Sequence, residues 1–171
     1  MRTMKSTAAN KNKATKEHKM QNGRIRVLAI LLFLIYFAIL FYFLFFSEEM
    51  GRTYSDREYH YNLKPFLEIK RFVEHYEVLG FETVFLNLVG NIVAFMPFGF
   101  FLPIFSRMCG YFWNTVFYTF ELSLLVELIQ LITKVGSFDV DDLILNTLGG
   151  ACGFLVYCII YWFMKKRRRA R

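Results

Sequence analysis

From Val27 to Phe46 the chain reads VLAILLFLIYFAILFYFLFF, an unbroken apolar and aromatic run. At ~1.5 Å of rise per residue it covers the ~30 Å hydrocarbon core of a bilayer, so it is predicted to span. A basic stretch precedes it, as in a secretory signal. The run is nevertheless longer than the roughly 7–15 residues of a signal core. Phe45, Phe46, Ser47 and Glu48 also offer no small-x-small cleavage pattern, so the segment is expected to remain as an anchor. With no polar position beyond Tyr36 and Tyr42, it is expected to face lipid all round.

Three more apolar stretches follow, and 56% hydrophobic with 19% aromatic residues is too apolar for a water-soluble fold. The predicted fold is all-α: an integral membrane bundle of four transmembrane helices, about 27–46, 84–105, 111–133 and 142–164. These form one domain, 27–164, between a basic disordered tail (1–26) and a second basic tail (165–171). Eight Lys or Arg precede Val27 and six follow Met164, whereas 47–83 holds five basic against eight acidic residues. The positive-inside rule therefore predicts a multi-pass protein of the cell membrane with both termini cytoplasmic and that loop outside. The net charge of +7 comes from these flanks, where basic residues meet anionic lipid, so membrane lipids are expected as partners and nucleic acid is not. Cys109, Cys152 and Cys158 show no metal or disulfide spacing and are expected to pack as small residues.

Within the outer loop, Phe66, Ile69, Phe72, Val73, Tyr76 and Leu79 recur at threes and fours after Pro65. This predicts an amphipathic helix started by Pro65 and lying on the outer membrane surface. Helix 2 carries Asn87 and Asn91 one turn apart, then Pro97 and Pro103, which should kink its inner half. Helix 3 sets Ser123, Glu127, Gln130 and Lys134 on one face, with Glu121 on another side near mid-bilayer. Helix 4 opens on Asp139, Asp141 and Asp142 and continues with Asn146, Gly149, Gly150 and Gly153, where glycines permit close approach of another helix.

Topology thus gathers Asn87, Asn91, Glu127, Gln130, Asp139, Asp141, Asp142 and Asn146 in the outer third of the bundle. Ionisable groups inside a membrane cost several kcal/mol unless paired or hydrated, so their default reading is a ligand site. The bland alternative is interhelical hydrogen bonding, about 0.6 kcal/mol per bond. Asp-x-Asp-Asp lacks the Gly and terminal Glu of a calcium loop, and His18, His60 and His75 lack ligand spacing, so neither a metal nor a cofactor is expected.

Four pieces in order resemble the VanZ-like family, named for a member associated with resistance to the glycopeptide teicoplanin. They are Asn62-Leu63-Lys64-Pro65-Phe66, Asn87 to Asn91 leading into Phe95-Met96-Pro97-Phe98-Gly99, Glu127-Leu128-Ile129-Gln130, and the run from Asp139 to Gly150. Some relatives carry an Arg just before the Asp motif, where this chain has Gly136 and Ser137; Lys134 or Arg57 could supply the cation instead. The resemblance implies a role in the bacterial cell envelope and adds Asn62 and Pro65 to the candidate ligand-binding residues.

Three functions fit. The protein binds an envelope lipid or lipid-linked precursor at the outer leaflet and influences glycopeptide susceptibility. Alternatively, it is an intramembrane enzyme acting on such a lipid, with Glu127, Asp139 and Asp142 as acid-base groups or metal ligands. The third is a small lipid or ion carrier. No nucleophile with an adjacent base is visible, which favours binding over catalysis.

Overall fold

The computed structural model describes Gly23 and residues 26–45, 61–106 and 108–169. The tail before Gly23 and residues 46–60, including His18, Arg57 and His60, lie outside the described residues.

Among the described residues four helices are long and apolar enough to cross a membrane, the architecture expected from hydropathy: α1 (Arg26–Phe45), α4 (Phe81–Phe105), α5 (Phe112–Thr133) and α6 (Val140–Arg169). Between α1 and α4 lie a two-residue strand β1 (Tyr61–Asn62), the amphipathic α2 (Leu67–Glu74) and a single turn α3 (Tyr76–Leu79). A 3-10 turn (Met108–Gly110) joins α4 to α5, and a second short strand β2 (Phe138–Asp139) leads into α6. At ~1.5 Å per residue the 30 residues of α6 extend ~45 Å, so its basic C-terminal turns clear the hydrocarbon core.

The segment between α1 and α4 departs from expectation in two ways. First, β1 and β2 pair in parallel, with Tyr61 opposite Phe138 and Asn62 opposite Asp139. Second, Pro65 does not start the helix. Phe66 intervenes in a left-handed conformation at φ 65°, and the helix begins at Leu67. It ends at His75, whose N–H bonds the Arg71 carbonyl (3.0 Å), and Gly80 at φ 82° turns the chain into α4.

α1 does not face lipid all round. Leu40 packs with Phe95 of α4 and Val126 of α5, the Phe33 ring sits against Phe98, Phe101 and Phe105, and the Tyr36 hydroxyl donates to the Ala94 carbonyl (2.8 Å). That last bond reaches α4 one turn before Pro97, where the missing N–H interrupts the backbone ladder. α4 nevertheless runs as one element through both prolines.

Lipid tails are as apolar as leucine, so packing between spans rests on close contact. α4 and α6 achieve it through glycine. A Cβ on Gly153 would collide with the Met96 carbonyl oxygen, and one on Gly99 with the Gly150 carbonyl oxygen. Backbone stands on the far side at both points, so nothing can yield. Gly153→Ala is therefore expected to destabilise the bundle by ~1–3 kcal/mol, read as a lowered thermal midpoint of purified protein. An unchanged midpoint would contradict this packing.

Candidate functional site

The end of the bundle where α6 begins is organised by Asp141, in the first turn of α6 and 1% exposed. Its carboxylate accepts backbone N–H groups from Phe66 (2.5 Å), Glu68 (2.8 Å) and Ile69 (3.1 Å). Those are the orphan donors of the α2 N-terminus, normally capped from within the same helix. Here the cap comes from a membrane span. Asp141 also sits where the positive ends of two helix dipoles, α2 and α6, meet.

The turn before α2 is shaped for this bond. The Asn62 side-chain oxygen accepts the Lys64 N–H (3.0 Å), an Asx-type turn, and Leu67 N–H closes onto the Lys64 carbonyl (3.4 Å). Left-handed backbone costs a residue with a Cβ roughly 1–2 kcal/mol, a cost met at Phe66 because its N–H then points at Asp141.

Asp139 ties the strands to the bundle. One of its oxygens accepts both the Asn62 side-chain amide (3.3 Å) and the Asp141 N–H (2.8 Å), and its own N–H donates to Glu127 (3.1 Å). Burial, reinforced by the nearby charges of Asp141 and Glu68, pushes its carboxyl up from the ordinary 3.8 to about 6, against the opposing bonds from the Asp141 N–H and Asn62. A raised folded-state value means that burial disfavours the ionised form. The associated stability is complete below pH ~4 and declines as pH rises through ~6.

The remaining candidates divide. Asn91 donates to Asp142 (2.5 Å), linking α4 to α6, and Gln130 donates to the Leu44 carbonyl (3.0 Å), linking α5 to the end of α1. Asn146 donates to Ser123 (2.9 Å) and keeps its side-chain oxygen buried without a partner. Asn87 turns back to the Thr83 carbonyl of its own helix (2.7 Å), so it does not join the others. Pro65 shapes the turn, and Lys134 ends α5 in a left-handed conformation at φ 56°. Glu127, Asp139 and Asp142 thus bond to amide groups from three different elements. Among the described residues no three His, Cys, Asp or Glu side chains are placed to hold a metal.

The sequence reading missed the three backbone N–H groups, which carry no side-chain signature, and the buried hydroxyls of Thr115 and Thr119. The second omission had a signal. Residues 115, 119, 123 and 127 continue one face of α5 at steps of four. Thr119 bonds the Thr115 carbonyl and Thr115 the Cys109 carbonyl, both at 2.8 Å.

These features define a multi-pass α-helical membrane protein whose segment between α1 and α4 is clasped to its bundle by aspartates. A family model described as VanZ/LLP1 matches residues 33–161, and the chain belongs to that VanZ-like family. Protein VanZ of Enterococcus faecium is 32% identical over 87 residues, 51% of this chain. The match spans about half the length of that relative (53%). No solved structure matches the fold.

Asp141→Ala leaves three N–H groups without their acceptor and is expected to cost ~3 kcal/mol locally. In hydrogen exchange the Phe66, Glu68 and Ile69 amides should lose roughly 100-fold of their protection; unchanged protection would refute the clasp. Between pH 7 and 5, protonation of Asp139 should increase protection across 61–80. Asp139→Asn should flatten that profile while retaining the acceptor oxygen.

Proposed function

We propose that this VanZ-like protein binds an envelope lipid or lipid-linked precursor at the outer leaflet through the clasped segment, and thereby alters susceptibility to glycopeptides such as teicoplanin. The positive-inside pattern supports an orientation with both termini cytoplasmic and the clasp outside.

One observation carries the reading. Asp141 holds an eight-residue amphipathic helix against the end of the bundle, yet the apolar side chains of that segment stay outside the core. No residue of α2 or α3 is buried, and Val78 is 85% exposed, with Phe66, Val73 and Phe81 also open. A surface pinned in place while presenting apolar side chains suits the lipid interface. Lys64 adds an exposed cation outside the two ion pairs of α2, Lys70 with Glu74 and Arg71 with Glu68, and suits an anionic headgroup.

Phe66→Asn removes an exposed ring while suiting the left-handed backbone, and Lys64→Glu reverses that exposed charge. In a teicoplanin-challenged bacterium expressing the full chain, each should reduce the protein's effect on the inhibitory concentration at least ~4-fold with unchanged membrane abundance. Mass spectrometry of co-purified lipid should show an anionic or lipid-linked species enriched over bulk membrane and lost in Lys64→Glu. Full effect in both variants, with no enriched lipid, would sink this reading.

A further inference from the structure

The clasp accounts for the carboxylates at the outer end. It leaves Glu121. This residue is exposed on the apolar span α5, nine positions after Phe112 and twelve before Thr133, or about 14 Å and 18 Å along the helix. It therefore lies near mid-membrane. Its nearest sequence candidates are committed elsewhere: Asn114 donates to the Met108 carbonyl (2.7 Å), and Ser123 accepts from Asn146 (2.9 Å). Arg26, the basic residue at the start of α1, is directed to the Phe105 carbonyl (3.5 Å). Glu121 makes no hydrogen bond or ion pair with any described residue.

Glu121 also lines a groove of about 380 Å³ between α4 and α5. The walls are apolar, with Phe98 and Leu102 on one helix and Leu122 and Leu125 on the other, while Ser106 and Tyr118 add hydroxyls. That volume lies within the ~300–1,000 Å³ of small-molecule sites. An unpaired carboxyl facing hydrocarbon costs several kcal/mol, and a partner arriving from the lipid removes that cost. A lone carboxyl among apolar walls is a poor cage for a bare metal ion. It complements a cation that brings its own hydrocarbon.

We propose that this groove binds an amphiphile carrying a protonated amine, with its ammonium paired to Glu121 and its apolar body along Phe98, Leu102 and Leu125. The site is separate from the outer clasp and does not depend on the function assigned there. Its polar requirement is a single ammonium, so chain length should matter less than charge.

The full chain in phosphatidylcholine nanodiscs would be titrated with dodecylamine, and with dodecanol as the uncharged analogue, by calorimetry. Saturable dodecylamine binding is expected, at least about tenfold weaker in Glu121→Gln. Glu121→Asp should recover part of it. Leu125→Trp, at a lipid-exposed position, should block the groove while keeping the carboxyl. Equal affinity for amine and alcohol, or undiminished binding in Glu121→Gln, would overturn the proposal. So would a dimer by light scattering that dissociates on Glu121→Gln and ignores dodecylamine, since the groove would then be a contact between copies.

Discussion

A single carboxylate holding the first N–H groups of a helix that belongs to another part of the chain is the constraint on which the clasped end of this protein depends. Isolated helices shorter than about 12–15 residues are marginal in water, and α2 has eight. Its ion pairs are surface pairs worth at most about 1 kcal/mol each. Hydrogen bonds to a charged acceptor contribute roughly 1.5–3 kcal/mol apiece, and Asp141 accepts three from the segment. Those bonds also set the backbone of Phe66 and hence the direction in which α2 leaves the strand pair. Asn62 and Asp139 act in support, fixing the turn and the register that bring the N–H groups within reach.

Below the clasp the bundle follows membrane packing rules with their polarity reversed from a soluble core. α5 buries hydroxyl, amide and carboxyl groups at Thr115, Thr119, Ser123, Glu127 and Gln130, while Trp113, Phe117, Leu125 and Ile132 face outward. In hydrocarbon no water satisfies a stray donor, so polar groups are sequestered where neighbouring spans offer partners. Each such bond stabilises only modestly. Together they orient α5 with respect to α6 and the end of α1, and the glycine contacts set how near α6 lies to α4.

The spans were legible in the sequence because hydropathy is read along the chain and needs no knowledge of neighbours. The placing of Asn87, Asn91, Glu127, Gln130, Asp139, Asp141, Asp142 and Asn146 toward one end was legible for the same reason, since it follows from topology alone, although Asn87 bonds only its own helix. Their bonding was not. Asp141 pairs with backbone groups more than 70 positions away, and every residue except proline has such an N–H. The packed face of α1 was equally silent: Phe33 and Leu40 meet apolar side chains on one side and lipid on the other, so no periodicity separates the two. The start of α2 was misplaced because Pro65 is a local signal, whereas the observed start follows from a distant carboxylate fixing Phe66.

The rule that an ionisable group within a membrane marks function needs a second criterion, which this bundle supplies. Glu127 and Asp141 are 2% and 1% exposed, yet both receive amide donors from elements folded over them. Their burial is explained by architecture, and removing either would leave donors stranded. Glu121 carries the same chemistry with the opposite circumstances: exposed, unbonded among the described residues, and lining a concave surface. Folding gains nothing visible from a carboxyl in that position, whereas a hydrocarbon side chain there would cost nothing. A carboxyl that no described residue of the fold uses is the group to test for a partner from outside the chain.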